Sequence, residues 1–304
     1  MEYQQLIDDL HSKFKNEVDK GKIANYIPEL KKVNPNKFGI NLFTISCESF
    51  GAGDFQEKFS IQSISKVLAL TLTLKLVGNR LWKRIGVEPS GDPFNSMVQL
   101  EFEKGIPRNP LINSGALVLS DILLSKLKNP KRDFLKFVRK IANNNEINYN
   151  KNVVISEKAY GFKNAAHVNL MKSFKNIKND VDKVLDFYYH MCSIEMTCEE
   201  LSKTFLLFAN GGKLTYNNEK IISVSITKRI NAIMQLCGLY DEAGEFSFRV
   251  GLPGKSGVGG GIVAIHPGNY CISVWSPKLN KKGNSYKGVQ VLELFTTKTE
   301  SSIF

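Results

Sequence analysis

The chain has 304 residues, of which 42% are apolar, and a formal net charge of +12. This length allows one large domain or two moderate ones, and the sequence contains neither an apolar run that could cross a bilayer nor an apolar signal-peptide core. We therefore expect a cytoplasmic protein that does not associate with a membrane. Five scattered cysteines and four dispersed histidines lack the spacing of a disulfide framework or a zinc site, so we expect no metal and no other cofactor.

The strong positive charge raises the question of a nucleic-acid partner. Basic residues are densest between positions 126 and 140, where seven of them accompany a single acid. Apolar residues recur at helical spacing through the same stretch, so we interpret the charge as the solvated face of an amphipathic helix. No recognition-helix, RNP or zinc-finger pattern accompanies it, and we expect no nucleic-acid partner.

The spacing of apolar residues predicts helices in the middle of the chain and strands near both ends. In chain order, the predicted elements are an N-terminal helix with apolar positions from 6 to 18, a strand over 38–47, a helix over 63–77, helices over 116–128, 132–143, 181–191 and 198–210, strands over 245–250, 259–265 and 269–275, and a closing helix over 289–297. This order predicts one sheet built from both ends of the chain with a helical domain inserted into it. We place the sheet domain at 1–62 and 213–304, the helical domain at 63–212, and an active site at their interface.

An S-x-x-K pair can supply a serine nucleophile and its lysine base. The chain contains four such pairs, at Ser12/Lys15, Ser63/Lys66, Ser125/Lys128 and Ser225/Lys228. Only Ser63 precedes a long and almost wholly apolar stretch, which indicates that it opens a buried helix. A serine in the first turn lies near the positive end of the helix dipole, and Lys66 at i+3 shares its face. This pair therefore predicts serine acyl-transfer chemistry.

A glycine-rich segment over 251–261 contains the tripeptide Lys255-Ser256-Gly257. It does not fit a P-loop, because Arg249 stands where the first glycine is required and a strand, not a helix, is predicted to follow. On a strand, K-[ST]-G accompanies S-x-x-K in serine enzymes of the penicillin-recognising kind. Glycines there would let the backbone approach a substrate closely. A plain glycine-rich turn between two strands is the alternative interpretation.

Several ordered blocks of the sequence resemble those of the bacterial and mitochondrial glutaminases, which share the serine β-lactamase-like fold. The blocks lie at 21–30, 59–67, 107–116, 192–199, 251–262 and 276–285. The resemblance implies an α+β fold of the β-lactamase/DD-peptidase type, with an antiparallel sheet flanked by helices and an inserted all-helical domain. It also implies a homotetramer that hydrolyses L-glutamine to L-glutamate and ammonia through a Ser-Lys acyl-enzyme.

The resemblance also implies roles for individual residues, matched motif by motif. It makes Ser63 the nucleophile, Lys66 the base and Tyr240 the shuttle that delivers a proton to the departing ammonia. The substrate-binding residues that it implies are Ser63, Asn113, Glu157, Asn164, Tyr188, Tyr240 and Val258, with Tyr26 as a further tyrosine near the pocket. Taken singly, Tyr188 and Glu157 favour ordinary structural roles and Asn113 fits a turn or cap, and only their joint order favours a site.

Three departures from the family pattern surround this set. Ser114 stands where alanine is commoner, Lys163 stands where arginine is expected, and the spacer over 159–162 is atypical. The spacing of seven between Glu157 and Asn164 is retained, so we expect these departures to alter the wall of the pocket and not the assignment.

Serine catalysis also requires that Lys66 be neutral for part of the time, and burial or a cationic neighbour such as Lys255 would lower its pKa. Two other classes of protein remain as alternatives. A β-lactamase or penicillin-binding enzyme would share both motifs, and a non-catalytic basic interaction protein would use neither.

Overall fold

The computed structural model describes residues 2–91 and 97–304. Its helices are α1 (Tyr3–Lys15), α2 (Pro28–Lys31), α3 (Ser65–Val77), α4 (Val98–Phe102), α5 (Asn113–Lys126), α6 (Pro130–Ala142), α7 (Lys151–Tyr160), α8 (Phe162–Ser173), α9 (Val181–Cys192), α10 (Cys198–Ala209), α11 (Val224–Cys237), α12 (Ala243–Val250) and α13 (Tyr286–Thr299). Its strands are β1 (Lys22–Ile23), β2 (Gly39–Thr44), β3 (Ser49–Gly53), β4 (Phe59–Ser60), β5 (Asn148–Tyr149), β6 (Ile194–Met196), β7 (Gly254–Ser256), β8 (Gly261–His266), β9 (Tyr270–Trp275) and β10 (Lys278–Leu279).

The main sheet joins strands from both ends of the chain. Its five strands run in the order β3-β2-β9-β8-β7, and every neighbouring pair is antiparallel. In the central pairing of β2 with β9, Ile40 lies opposite Val274 and Leu42 opposite Ile272. An antiparallel sheet with helices packed on it confirms the predicted α+β class.

Apolar residues cover both faces of this sheet, which explains why its central strands are buried. Ile262 and Ala264 face a core formed with α1, α12 and α13, whereas Val263 and Ile265 face the larger core that contains α3, α5, α9 and α10. Because successive side chains of a strand point to opposite faces, one apolar run can serve two cores. The helices that carry candidate site residues lie on the second face.

Side-chain caps fix the beginnings of several helices around this larger core. The Asn150 side chain accepts hydrogen bonds from two backbone N–H groups of α7, and the Asp180 side chain accepts one from the Lys183 N–H group of α9. Thr197 and Glu200 form a reciprocal capping box at the start of α10. These caps determine where each helix starts and hence which residues its inner face presents.

One predicted element is wrong. Residues 245–250 were expected to form a strand because Phe246, Phe248 and Val250 alternate with polar residues, but they lie in α12. Phe246 and Val250, four residues apart, are buried on one helical face, while Phe248 is 91% exposed. The N-terminal helix also ends at Lys15, before Val18. In the described part of the chain, no helix is long and apolar enough to span a membrane.

Candidate active site

Ser63 lies in a buried turn that leads into α3. Residues Gln62–Ile64 form a single 3-10 turn, and α3 begins at Ser65, so the serine precedes the helix and does not occupy its first turn as expected. Gln62 has a φ of +50°, a left-handed conformation that a residue with a side chain adopts at a cost. The sharp turn places Ser63 ahead of the helix at the wall of a cavity.

Lys66 is completely buried one helical turn beyond Ser63. Its Nζ donates hydrogen bonds to Asn113 Oδ1 at 2.6 Å and to the Leu111 carbonyl oxygen at 3.3 Å. Burial lowers the pKa of Lys66 to about 8, because the charged form loses its hydration, although the nearby Glu157 and Cys192 act in the opposite direction. The amine is therefore partly neutral near physiological pH, as a base must be.

Tyr240 lies between the serine and two lysines. Its hydroxyl lies close enough to the Ser63 side chain to interact with it, and the Nζ atoms of Lys255 and Lys66 lie 4.1 and 5.5 Å from its ring centre. Lys255 is fully buried and donates to the carbonyl oxygens of Gly238 and Ser256 at 2.8 and 2.6 Å. This arrangement connects the K-S-G segment with the S-x-x-K pair through one aromatic ring.

Lys66 and Lys255 are two buried amines whose positive charges disfavour each other. Burial, assisted by the charge of Lys66, lowers the pKa of Lys255 well below the usual lysine range. Lys255 is not among the groups that shift the pKa of Lys66, for which burial is the dominant cause. Of the two expected causes, burial is therefore the one that lowers the pKa of Lys66.

Two glycines bring the K-S-G segment against the serine turn. A Cβ on Gly257 would lie 2.5 Å from the Ile61 carbonyl oxygen, and one on Gly259 would lie 2.2 Å from that of Ser60. Both distances are shorter than real Cβ contacts allow, so only glycine permits this backbone approach. Val258, between them, is thereby brought to the cavity wall near Ser63.

Another part of the same cavity carries amides and a carboxyl group. Asn113 Nδ2 donates to Asn164 Oδ1 at 3.1 Å, which joins α5 to α8. Glu157 on α7 is 8% exposed, and burial raises its pKa to about 7 despite a hydrogen bond from Gln62 and the charge of Lys66. Tyr188 on α9 is also buried. These groups supply donors, acceptors and one titratable acid to the pocket.

The cavity has a volume of about 1150 Å³ and brings most of the predicted residues together. Those that line it are Tyr26, Ser63, Asn113, Glu157, Asn164, Tyr188 and Val258. Lys66 and Tyr240 lie behind this lining, where Lys66 donates a hydrogen bond to Asn113 and Tyr240 adjoins Ser63.

Sequence reasoning missed several residues of the lining. Gln62 and Cys192 line the interior, and Lys31, Tyr160 and Phe162 lie at the outer part. The first two adjoin motifs that were singled out, Gln62 directly before Ser63 and Cys192 at the start of the 192–199 block, so their positions offered a signal. Burial raises the pKa of the Cys192 thiol to about 12, which keeps it protonated.

Comparison with known proteins agrees with this architecture. The family model described as Glutaminase matches residues 21–304. A protein from Christiangramia forsetii named Glutaminase is 55% identical over 304 residues, with 100% of both chains covered. The solved structure of the probable glutaminase ybaS has a TM-score of 0.94 at 32% identity and covers 99% of this chain and 97% of its own. Mglu in its glutamate form has a TM-score of 0.91 at 28% identity, covering 99% of this chain and 68% of that one.

Proposed function

This chain belongs to the glutaminase family, and we propose that it hydrolyses L-glutamine to L-glutamate and ammonia through an acyl-enzyme formed on Ser63. The observation that carries the proposed mechanism is that Ser63 lies at the cavity wall and that Tyr240, behind it, adjoins both Ser63 and two buried lysines. A glutamate form of the relative Mglu agrees with a product of this kind.

In the first step, Ser63 Oγ attacks the side-chain carboxamide carbon of glutamine. The neutral amine of Lys66 takes the serine proton, which it can do because burial brings its pKa to about 8. The tetrahedral intermediate then loses ammonia, and Tyr240 supplies the proton that the departing nitrogen needs. Burial raises the pKa of the Tyr240 phenol, so the group is protonated and ready to donate.

Deacylation reverses these roles with water in place of ammonia. Water gives a proton to the Tyr240 phenolate left by the first step, and its oxygen attacks the γ-glutamyl ester. The Lys66 ammonium then returns the serine proton to Ser63 Oγ, and glutamate leaves. The backbone N–H groups of Ser63 and Val258 would hold the oxyanion in both steps. The close approach that Gly257 and Gly259 permit supports this assignment, because an oxyanion hole needs donors fixed before charge develops.

The other end of glutamine carries an ammonium and a carboxylate, which need partners when water is displaced. Glu157 supplies a negative charge for the ammonium once it is ionised. Asn113, Asn164 and Tyr188 provide neutral hydrogen bonds, chiefly to the carboxylate. A site of this kind selects for both α-substituents, since a substrate without them leaves buried polar groups unpaired.

The division into two domains belongs to the same proposal. Ser63, Lys66 and the residues for the α-substituents come from 63–212, whereas Tyr240 and Val258 come from the C-terminal part of the sheet domain at 1–62 and 213–304. Their meeting at one cavity supports an active site at the domain interface. We also propose a cytoplasmic homotetramer, which rests on the family resemblance and is tested by the mass in solution.

The test compares wild-type protein with Ser63→Ala. Wild type should release ammonia and glutamate in equal amounts from L-glutamine, and Ser63→Ala should lose this activity by a factor of about 1000 or more while it retains its thermal midpoint. Hydroxylamine should intercept the wild-type acyl-enzyme as γ-glutamyl hydroxamate. Turnover of a chromogenic β-lactam in place of glutamine would identify a penicillin-type enzyme, and tight nucleic-acid binding without ammonia release would favour the interaction protein.

A further inference from the structure

Tyr240 is held in a backbone conformation that tyrosine does not favour. Its φ is +58°, and it begins a 3-10 turn over Tyr240–Glu242. A left-handed conformation costs free energy in any residue with a Cβ, so it persists only where surrounding contacts over-determine it. The contacts that hold this turn therefore determine where the Tyr240 hydroxyl lies.

Glu242 supplies such contacts, although its side chain is not part of the cavity lining. It is 4% exposed, and its two carboxylate oxygens accept hydrogen bonds from Asn280 Nδ2 at 2.8 and 2.9 Å. Asn284 Nδ2 donates to Glu242 Oε2 and, at 3.4 Å, to the Leu239 carbonyl oxygen. The two asparagines thus bind the turn on both sides of Tyr240.

The orientation of the Asn280 amide is fixed by its own loop. Asn280 Oδ1 accepts from the backbone N–H groups of Lys282 and Asn284 at 2.9 and 3.1 Å, so its Nδ2 must point towards Glu242. The Asn280 backbone N–H donates to the Asn284 carbonyl oxygen at 2.7 Å, which closes the loop. A closed loop of this kind presents its donors rigidly, as positioning requires.

The same loop is anchored beside the cavity. Its preceding strand β10 pairs with β1, which leads into the segment that carries Tyr26. Leu279 packs in a small apolar cluster with Ile27 and Val258. The loop that holds the Tyr240 turn is therefore itself held in place by contacts with the rim of the pocket and with the glycine-rich segment.

We propose that Glu242, clamped by Asn280 and Asn284, is a positioning residue that keeps the Tyr240 hydroxyl on Ser63. This inference rests on the proposed function, in which Tyr240 donates the proton to the departing ammonia. Glu242 itself touches neither the substrate nor the reacting atoms. Its loss should therefore affect the chemical step while substrate binding is retained.

The test is a donor–acceptor exchange. Glu242→Gln turns an amide donor towards the Asn280 donor, and kcat on L-glutamine should fall by about 10- to 100-fold while KM changes by less than about twofold. The double variant Glu242→Gln/Asn280→Asp restores a donor opposite an acceptor and should recover most of that loss. Glu245→Gln, three residues further on and exposed, is the matched control and should behave as wild type.

A second substrate separates positioning from general damage. The phenolate of a γ-aryl ester of glutamate departs without a proton, so Glu242→Gln should lose much less kcat on this ester than on glutamine. Equal losses on both substrates, or no rescue by the double variant, would refute the clamp. If Glu242→Gln does not fold, Asn280→Ala, which removes the donor from the loop, replaces it. This variant should also lose more kcat on glutamine than on the ester, and equal losses would refute the clamp.

Failure of the clamp can be told apart from failure of the proposed function. If wild type releases ammonia, Ser63→Ala does not, and Glu242→Gln equals wild type, only the clamp is refuted. If wild type releases no ammonia, or Ser63→Ala matches it, the proposed chemistry fails and the clamp fails with it.

Discussion

Replacement of Glu157 by glutamine should change the shape of the pH profile as well as its height. In the proposed mechanism Glu157 must be ionised to hold the substrate ammonium, and Lys66 must be neutral to accept the serine proton. Burial raises the pKa of Glu157 to about 7 and lowers that of Lys66 to about 8. Both active forms are deprotonated, so kcat/KM of wild type should rise with pH through the interval from 6 to 8.

The two pKa values give the size of the effect. The product of the ionised fraction of Glu157 and the neutral fraction of Lys66 increases by about 500-fold between pH 6 and pH 8. In Glu157→Gln only Lys66 titrates, and the increase should be at most about 50-fold. This rise in kcat/KM should occur at lower pH than in wild type, because the negative charge of Glu157, which raises the pKa of Lys66, is gone. Loss of a charged hydrogen bond should also lower the plateau by about 10- to 100-fold.

The assay is initial-rate ammonia release at low glutamine concentration in buffers of constant ionic strength. The limiting slope of log kcat/KM against pH should approach two below pH 7 in wild type and one in Glu157→Gln. A glutamine analogue without the α-amino group provides a control, because wild type should discriminate against it and Glu157→Gln should do so far less. An unchanged slope together with normal activity on glutamine would remove Glu157 from the ammonium role.

Three further changes test other parts of the structure. Lys66→Arg should lower kcat by more than about 100-fold with the fold intact, since a guanidinium does not become neutral, and circular dichroism beside the rate measurement checks this. Gly257→Ala forces a Cβ against a backbone carbonyl and should lower kcat by about 10-fold or more, whereas Gly244→Ala, with open space around it, should be silent in the same assay. Asp121 is completely buried and forms an ion pair with Arg84 at 2.6 Å. Asp121→Ala removes this charge partner and should cost about 3–5 kcal/mol, seen as a fall of about 5–8 °C in Tm; an unchanged Tm would contradict a stabilising role of the pair.

The spacing of apolar residues predicted secondary structure correctly where it fits only one type of element, and wrongly where it fits both a strand and a helix. The run from Val67 to Val77 is apolar on all sides and forms the buried helix expected of it. In 245–250, apolar and polar residues alternate as in a strand, but the apolar residues Phe246 and Val250 are also four apart, as on one face of a helix. The segment is helical, and both residues pack into the core. Three apolar positions are too few to distinguish the two-residue period of a strand from the 3.6-residue period of a helix.

The candidate site was predictable as a set of residues and not as a set of contacts. Motif order named Asn113 and Lys66 separately, but the hydrogen bond between them depends on how α5 packs against α3. Sequence reasoning also left open whether burial or Lys255 lowers the pKa of Lys66, because it could not show that both lysines are buried beside one tyrosine ring. Glu242 was overlooked because a lone glutamate has no signal until its asparagine partners are located.

The pairing of β2 with β9 has a consequence for co-translational folding. Gly39 lies opposite Trp275, 236 residues further along the chain, so β2 cannot pair with β9 until that much more chain has been synthesised. Ser63 and Lys66 emerge early, but Val258, which completes the proposed oxyanion hole, arrives almost two hundred residues later. Such long-range pairing also slows folding. A nascent chain therefore carries the proposed nucleophile long before it carries the proposed oxyanion hole, and we expect no ammonia release before β7, β8 and β9 have been synthesised.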